Sequence, residues 1–241
     1  MKTRLLTVIT VVFLFTGLLL STANARVNGD DKKENREVSA FSKISMSVSG
    51  NLYLTQGDEY KLVIEGDEDD LEDIETTVRG DVLRIKYDKP FGFNWNAGKV
   101  KIYVTTKEVE QLTVSGSGNI VAETPVSTED VQFNVSGSGE IEIDDLEATN
   151  IDASISGSGD IRLAGRNSAE SLDISISGSG ELHASDLMLR RAEIAISGSG
   201  SCDVHVTEDL EVDVSGSGKV RYGGNPVVDA DISGSGKVVK D

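Results

Sequence analysis

The tetrapeptide Ser-Gly-Ser-Gly occurs seven times in this chain, beginning at Ser115, Ser136, Ser156, Ser177, Ser197, Ser215 and Ser233. The spacings are 21, 20, 21, 20, 18 and 18 residues. A short fixed period of this kind is the signature of a solenoid, in which each unit buries its apolar face only by stacking on its neighbours. A flexible Gly/Ser linker would show no such flanks. Here every copy is embedded in alternating apolar and polar residues, such as Phe133 and Val135 before the second copy and Ile141 and Ile143 after it.

Period-two alternation marks an extended segment that buries one face. Units of 18–21 residues that bury one face, with one motif kept in register, predict an all-β fold: a right-handed parallel β-helix. At about 4.8 Å per rung, seven coils would extend roughly 30–35 Å. An antiparallel sandwich is the runner-up, but it needs turns about every 8–12 residues and would not hold an identical motif in register. Counting in twos from Val135 passes through Gly137 and Gly139 to Ile141. Both glycines of the motif therefore fall on the apolar parity and both serines on the polar one. The motif reads as a corner where missing side chains let the backbone approach the axis, with serine ladders outside. A further apolar point in each spacer (Leu146, Leu187 or Leu210) is expected to anchor a second turn.

The preceding residues are organised differently. Met1-Lys2-Thr3-Arg4 and the apolar run Leu5–Leu20 lead to Ala23-Asn24-Ala25, which reads as a signal peptide cleaved after Ala25. Residues 26–37, nearly all charged or polar, read as a disordered linker. Residues 38–241 read as a single β-helix domain, irregular over 38–114 and repetitive over 115–241. Eight of the twelve aromatics lie between Phe41 and Tyr103, so the irregular section is expected to close one end of the array. Ser49-Gly50-Asn51-Leu52 reads as a degenerate copy of the motif. Lys219 and Lys237, with Arg221 and Lys240, read as edge protection on the last rungs.

The whole chain carries a net charge of −18, and loss of Lys2 and Arg4 with the leader makes the mature chain −20. Such an excess of acid repels phosphate backbones and argues against a nucleic-acid partner. No second apolar run is long enough to cross a membrane as a helix, so no membrane span is expected in the mature chain. One cysteine, Cys202, leaves no internal disulfide.

Candidate sites are few. Asp152, Asp173, Glu193, Glu211 and Asp229 each lie four residues before a motif and should stack as a solvated acidic column. Residues Asp67–Asp73 are acidic but break the EF-hand pattern at Leu71, so a solvated turn or short helix is expected. His183 and His205 are expected on the outward parity of adjacent coils, offset by two residues and too far apart for a compact metal site. Cys202 is expected to face inward as a small hydrophobe. The reading therefore assigns no catalytic residue, no cofactor and no metal. Recognition falls to the loop Pro90–Asn96, where Phe91, Phe93, Asn94, Trp95 and Asn96 offer rings and amides to a sugar. Capping of the open core is the favoured role for that loop, with recognition the alternative.

The iterated V-S-G-S-G-x-I pattern, seen as Val114–Ile120, resembles the auto-transporter adhesin, head GIN domain family. So do Gln56-Gly57-Asp58, Leu83-Arg84-Ile85 and Val100–Thr105 in the same order. The resemblance implies an exported β-helical protein of Bacteroidetes-type bacteria, with no catalytic residues to transfer. The function expected is a non-enzymatic, adhesin-like or structural module of the cell envelope, periplasmic or at the surface, with a cell-surface glycan or protein as partner. A polysaccharide-binding or polysaccharide-degrading β-helix is the alternative.

Overall fold

The computed structural model describes residues 31–88 and 100–241. The leader and its cleavage point at Ala25 lie outside the described residues. The fold is the expected stack of parallel coils, a β-solenoid. Each coil of the repeat contributes one strand before the motif and one after it. The first kind stack as Gln111–Gly116, Asp130–Gly137 and Asn150–Gly157, continuing through four further rungs to Val227–Gly234. The second kind stack from Asn119–Ala122 through Glu140–Ile143 and Asp160–Leu163 to Lys237–Lys240. Every one of these pairings is parallel, and the seven motifs fall in register, so six turns separate the first from the last.

Alternation along each strand turns one side chain in two toward the axis, and like positions form columns. One column runs Leu112, Phe133, Ala153, Ile174, Ile194 and Val212, all buried. Phe133, the largest fully buried side chain, stacks directly on Ala153, the smallest in the column. Bulk in one coil is thus offset by a gap in the next, which keeps the interior close-packed. The third side of the coil is short. Val126–Ser127 pairs with Leu146–Glu147, and Leu187 packs over the same region beside Gly165. Leu146 and Leu187 therefore anchor that side as expected. Leu210 does not, because it pairs with Ala192 within the strand that precedes the motif. It lies five residues before its motif, the place that Ile151, Leu172 and Ala192 take in earlier coils, whereas Leu146 and Leu187 lie ten before theirs.

The irregular section caps the solenoid by a change of chain order. Lys43–Ser47 is sandwiched between Val82–Tyr87 on one side and Gln111–Gly116 on the other. Gly50–Gln56 likewise lies between Val100–Thr106 and Asn119–Ala122. The coil made last in this section is thus the terminal one. Its outer edges are covered by antiparallel strands: Ile74–Arg79 on Val82–Tyr87, and Lys61–Gly66 on Val100–Thr106. Antiparallel cover breaks the parallel template at this end, as edge management in β-proteins requires. In register terms the degenerate motif is Ser47-Val48-Ser49-Gly50, since Met46 pairs with Val114 and Asn51 with Asn119. The sequence reading placed it two residues later because Val48 stands where the repeats have their first glycine.

Residues 32–36, expected within a disordered linker, instead form a strand antiparallel to Lys61–Gly66. Composition alone hides its partners. Lys33 Nζ lies 3.0 Å from Glu65, Lys32 Nζ 2.5 Å from Glu68, and Arg36 donates to the carbonyls of Leu71 and Ile74 at 3.0 and 3.2 Å. The acidic run Glu68–Glu72 is a short helix, and Arg36 donates to the carbonyl of Leu71 in its last turn.

Glu65 ties this cap together, accepting from Lys101 at 2.9 Å and facing Lys33. Hydrogen bonds from Lys101 and then Lys33 hold its carboxyl down at about 2. A depressed carboxyl contributes stability that is full above its ordinary titration range, near 4.5, and is lost as pH falls toward 2. Glu65→Gln should therefore lower the melting temperature at pH 7 and flatten its decline between pH 4.5 and 2. Thermal melts followed by circular dichroism across that range check both effects.

Candidate functional site

The motif builds the corner that positions every outward side chain. Its first glycine adopts φ of +121° at Gly157, a region that L-side chains avoid, and the same sign recurs in all seven copies. A Cβ there would also overlap the carbonyl oxygen of Gly137 in the preceding coil. That carbonyl is occupied, because it accepts from Ser158 N–H at 2.8 Å. The second glycine faces the interior. A Cβ on Gly159 would stand 2.5 Å from Val135 Cγ1 of the preceding coil, so an apolar branch fills the space the missing side chain leaves. Parity alone had put both glycines on the apolar side. Only the second is there, since the positive φ of the first turns the chain and breaks the alternation.

Outside the corner the first serines stack in register from Ser115 to Ser233. On the strand before the motif, Asp152, Asp173, Glu193, Glu211 and Asp229 are successive register partners, as expected from their spacing. The adjoining column is Ser154, Ser175, Ala195, Asp213 and Asp231. Among the described residues none of these seven carboxylates forms an ion pair. Between this column and the serine ladder runs an open cleft of about 590 Å³, lined by Ser175, Ser177, Asp213, Ser215, Asp231 and Ile232 among others. Small side chains at Ser175 and Ala195 leave its floor accessible.

The strand after the motif presents the opposite electrostatics. There Arg162 Nε donates to Glu140 at 2.5 Å, and Arg221 clasps Asp203 through Nε at 2.7 Å and through Nη2. His183 sits between Asp203, 3.5 Å from Nδ1, and Glu181, 3.2 Å from Nε2. Desolvation alone would raise the Asp203 carboxyl, but Arg221 and His183 together bring it below its ordinary value. Asp160, without so close a cation, is raised by its partial burial. One outer face is thus neutralised by its own ladders and the other is left acidic. The sequence showed the acidic column but not this contrast, because ion pairing depends on which coil supplies the neighbour.

The remaining candidates are brought nowhere near a common point. His183 pairs in register with Asp203 and His205 with Met188, across a bulge between Ala184 and Met188. Cys202 is fully buried, and desolvation pushes its thiol up, away from the reactive thiolate. Among the described residues no group of three or more His, Cys, Asp or Glu is arranged to hold a metal ion. Phe91, Phe93, Asn94, Trp95 and Asn96 lie outside the described residues.

Residues 40–226 match the family described as Putative auto-transporter adhesin, head GIN domain. A putative adhesin from Bacteroides fragilis NCTC 9343 is 25% identical with a TM-score of 0.82, covering 88% of this chain and 97% of its own. A putative lipid binding protein from Parabacteroides distasonis ATCC 8503 is 26% identical with a TM-score of 0.73, covering 89% and 98%. A putative adhesin from the same organism is also 26% identical, with a TM-score of 0.69 and the same coverage. No curated protein matches the chain.

The corner predicts unequal sensitivity within one motif. Gly159→Val and Gly157→Val should each lower the unfolding midpoint by the equivalent of about 2 kcal/mol or more, through overpacking and backbone strain respectively. Ser158→Ala, at an exposed position, should fall within about 0.5 kcal/mol of the parent. Denaturant titration of the three variants compares them directly.

Proposed function

The chain belongs to the auto-transporter adhesin, head GIN domain family, and on that premise we propose that it is an exported, non-enzymatic binding module of the cell envelope. One observation carries the reading. The coil stack displays an unbroken, in-register ladder of outward side chains on a rigid parallel scaffold, and its charged groups are spread along that ladder rather than converged on a point. A catalyst needs the reverse, with acid, base and stabilising donors gathered within hydrogen-bond reach of one reacting atom. The His183–Asp203–Arg221 group is a cross-coil ladder that satisfies its own charges. No helix among the described residues is long and apolar enough to cross a membrane, which accords with a module presented outside the bilayer. The partner class proposed is a cell-surface glycan or protein.

A second reading, polysaccharide binding or cleavage, is favoured by one feature only. Asp213 and Asp231 are register partners, one rung apart, in the wall of the cleft. Paired carboxylates are the equipment of glycoside hydrolysis, although a single strand spacing of about 4.8 Å leaves no room for an intervening water. The words lipid binding attached to one relative fit less well. The interior here is filled by stacked side chains, and the cleft is an open groove on the outside.

Tagged protein in its native host should be found in the envelope fraction and be cleaved when intact cells are treated with protease. Full retention in the cytoplasm would refute export, and resistance to protease on intact cells would refute surface display. A glycan array on the purified chain, with and without Asp213→Asn and Asp231→Asn, tests the second reading. Release of new reducing ends that depends on those two residues would replace the binding module with an enzyme.

A further inference from the structure

The two ends of the coil stack are finished differently. At the N-terminal end, antiparallel strands and Leu71 of the short helix cover the terminal coil. At the other end, among the described residues, the strands Val227–Gly234 and Lys237–Lys240 pair on one side only, with Asp209–Gly216 and Lys219–Tyr222 respectively. Each therefore presents a row of unsatisfied N–H and C=O groups. The apolar side chains of this coil are uncovered as well. Val228 and Ile232 are 37% and 44% exposed, whereas their register partners Leu210 and Val214 are 1% and 2% exposed. Ala230 is exposed between them. Of the five large exposed hydrophobics among the described residues, four lie on this one coil.

Charge on this coil is divided between its two edges. Asp229 and Asp231 mark the strand before the motif, and Lys237 and Lys240 the strand after it. Edge protection against self-association works best with one sign throughout, because two copies then repel wherever they meet. An edge half acidic and half basic is complementary to itself turned over. We propose that this coil is a self-association surface, on which a second copy of the chain docks through a two-fold axis. The strand Val227–Gly234 of one copy lies antiparallel against Lys237–Lys240 of the other. The contact is isologous, so both halves form at once and the pair closes without growing into a fibre. Stacking of this coil on the far end of another copy is disfavoured, because the outermost strands there, Lys32–Arg36 and Ile74–Arg79, are short and run antiparallel to the strands they cover, breaking the parallel template. The alternative two-fold, in which each strand meets its own copy, places Asp against Asp and Lys against Lys.

This arrangement stands independently of where the protein resides or what it binds. Sedimentation equilibrium of the purified chain should give twice the monomer mass, with dissociation favoured by high salt. Asp229→Lys/Asp231→Lys should be monomeric, as should Lys237→Glu/Lys240→Glu, each with the parent's circular dichroism spectrum to show that the coils remain folded. Mixing the two variants should restore the dimer, because each then offers what the other's edges lack. A parent chain that is monomeric at every concentration overturns the proposal. A parent dimer that survives the acidic-edge reversal overturns it too, since only strands meeting their own copies would tolerate that change.

Discussion

The carbonyl of the first glycine in each of the first six motifs accepts the N–H of the second serine one coil later, and this bond fixes the register of everything else. It is short and repeated, for example Ser179 N–H to Gly157 and Ser199 N–H to Gly178, both at 2.8 Å. Only a residue without a side chain can offer that carbonyl at positive φ while the next coil passes directly above it. The second glycine then admits a branch of the valine or isoleucine from the coil before. Register slips in β-structure exchange the buried and exposed faces wholesale. A corner that accepts one alignment only is what allows twenty-residue coils with little other individuality to stack in a single way.

Given that corner, the interior and the exterior are free to obey different rules. Inside, complementarity acts between neighbours along a column, as with Phe133 on Ala153, so no coil can be repacked without reference to the adjacent ones. Outside, each column is an independent choice of charge. Burial of Asp203 beneath Arg221 and His183 shows one outcome, in which opposite signs one rung apart satisfy each other. The unpaired column from Asp152 to Asp229 shows the other. Exposed like charges repel by modest amounts in water, so a stack tolerates such a column if the corner and core hold it.

Periodicity and parity were enough to read the parallel coils, the inward cysteine and the stacked acidic column, because each is a consequence of counting residues along one chain. What escaped depends on the neighbour rather than on the segment. Lys32–Arg36 carries no strand signal, yet it pairs because Glu65 and Glu68 await its lysines. Val48 hid the true first motif by substituting for a glycine at a coil whose partner below is not a repeat. The cleft beside Asp213 owes its floor to Ser175 and Ala195, two small residues whose meaning appears only when their coils are stacked. Leu210 lies five residues before its motif, where Leu146 and Leu187 lie ten, so counting to the motif rather than reading the spacer as a block places it with Ile151, Leu172 and Ala192.

The inverted order of the first coils bears on how the chain acquires its structure during synthesis. Lys43–Ser47 emerges early, but neither of its strand partners exists until residues 82–87 and then 111–116 have followed. Beyond that point each new coil finds its template already complete about twenty residues behind it. The barrier is thus concentrated in the first hundred residues, and the rest is propagation with short-range closure. Copies of the repeat can be gained or lost without touching the nucleus, so the length of the stack is the property this architecture leaves most open to change.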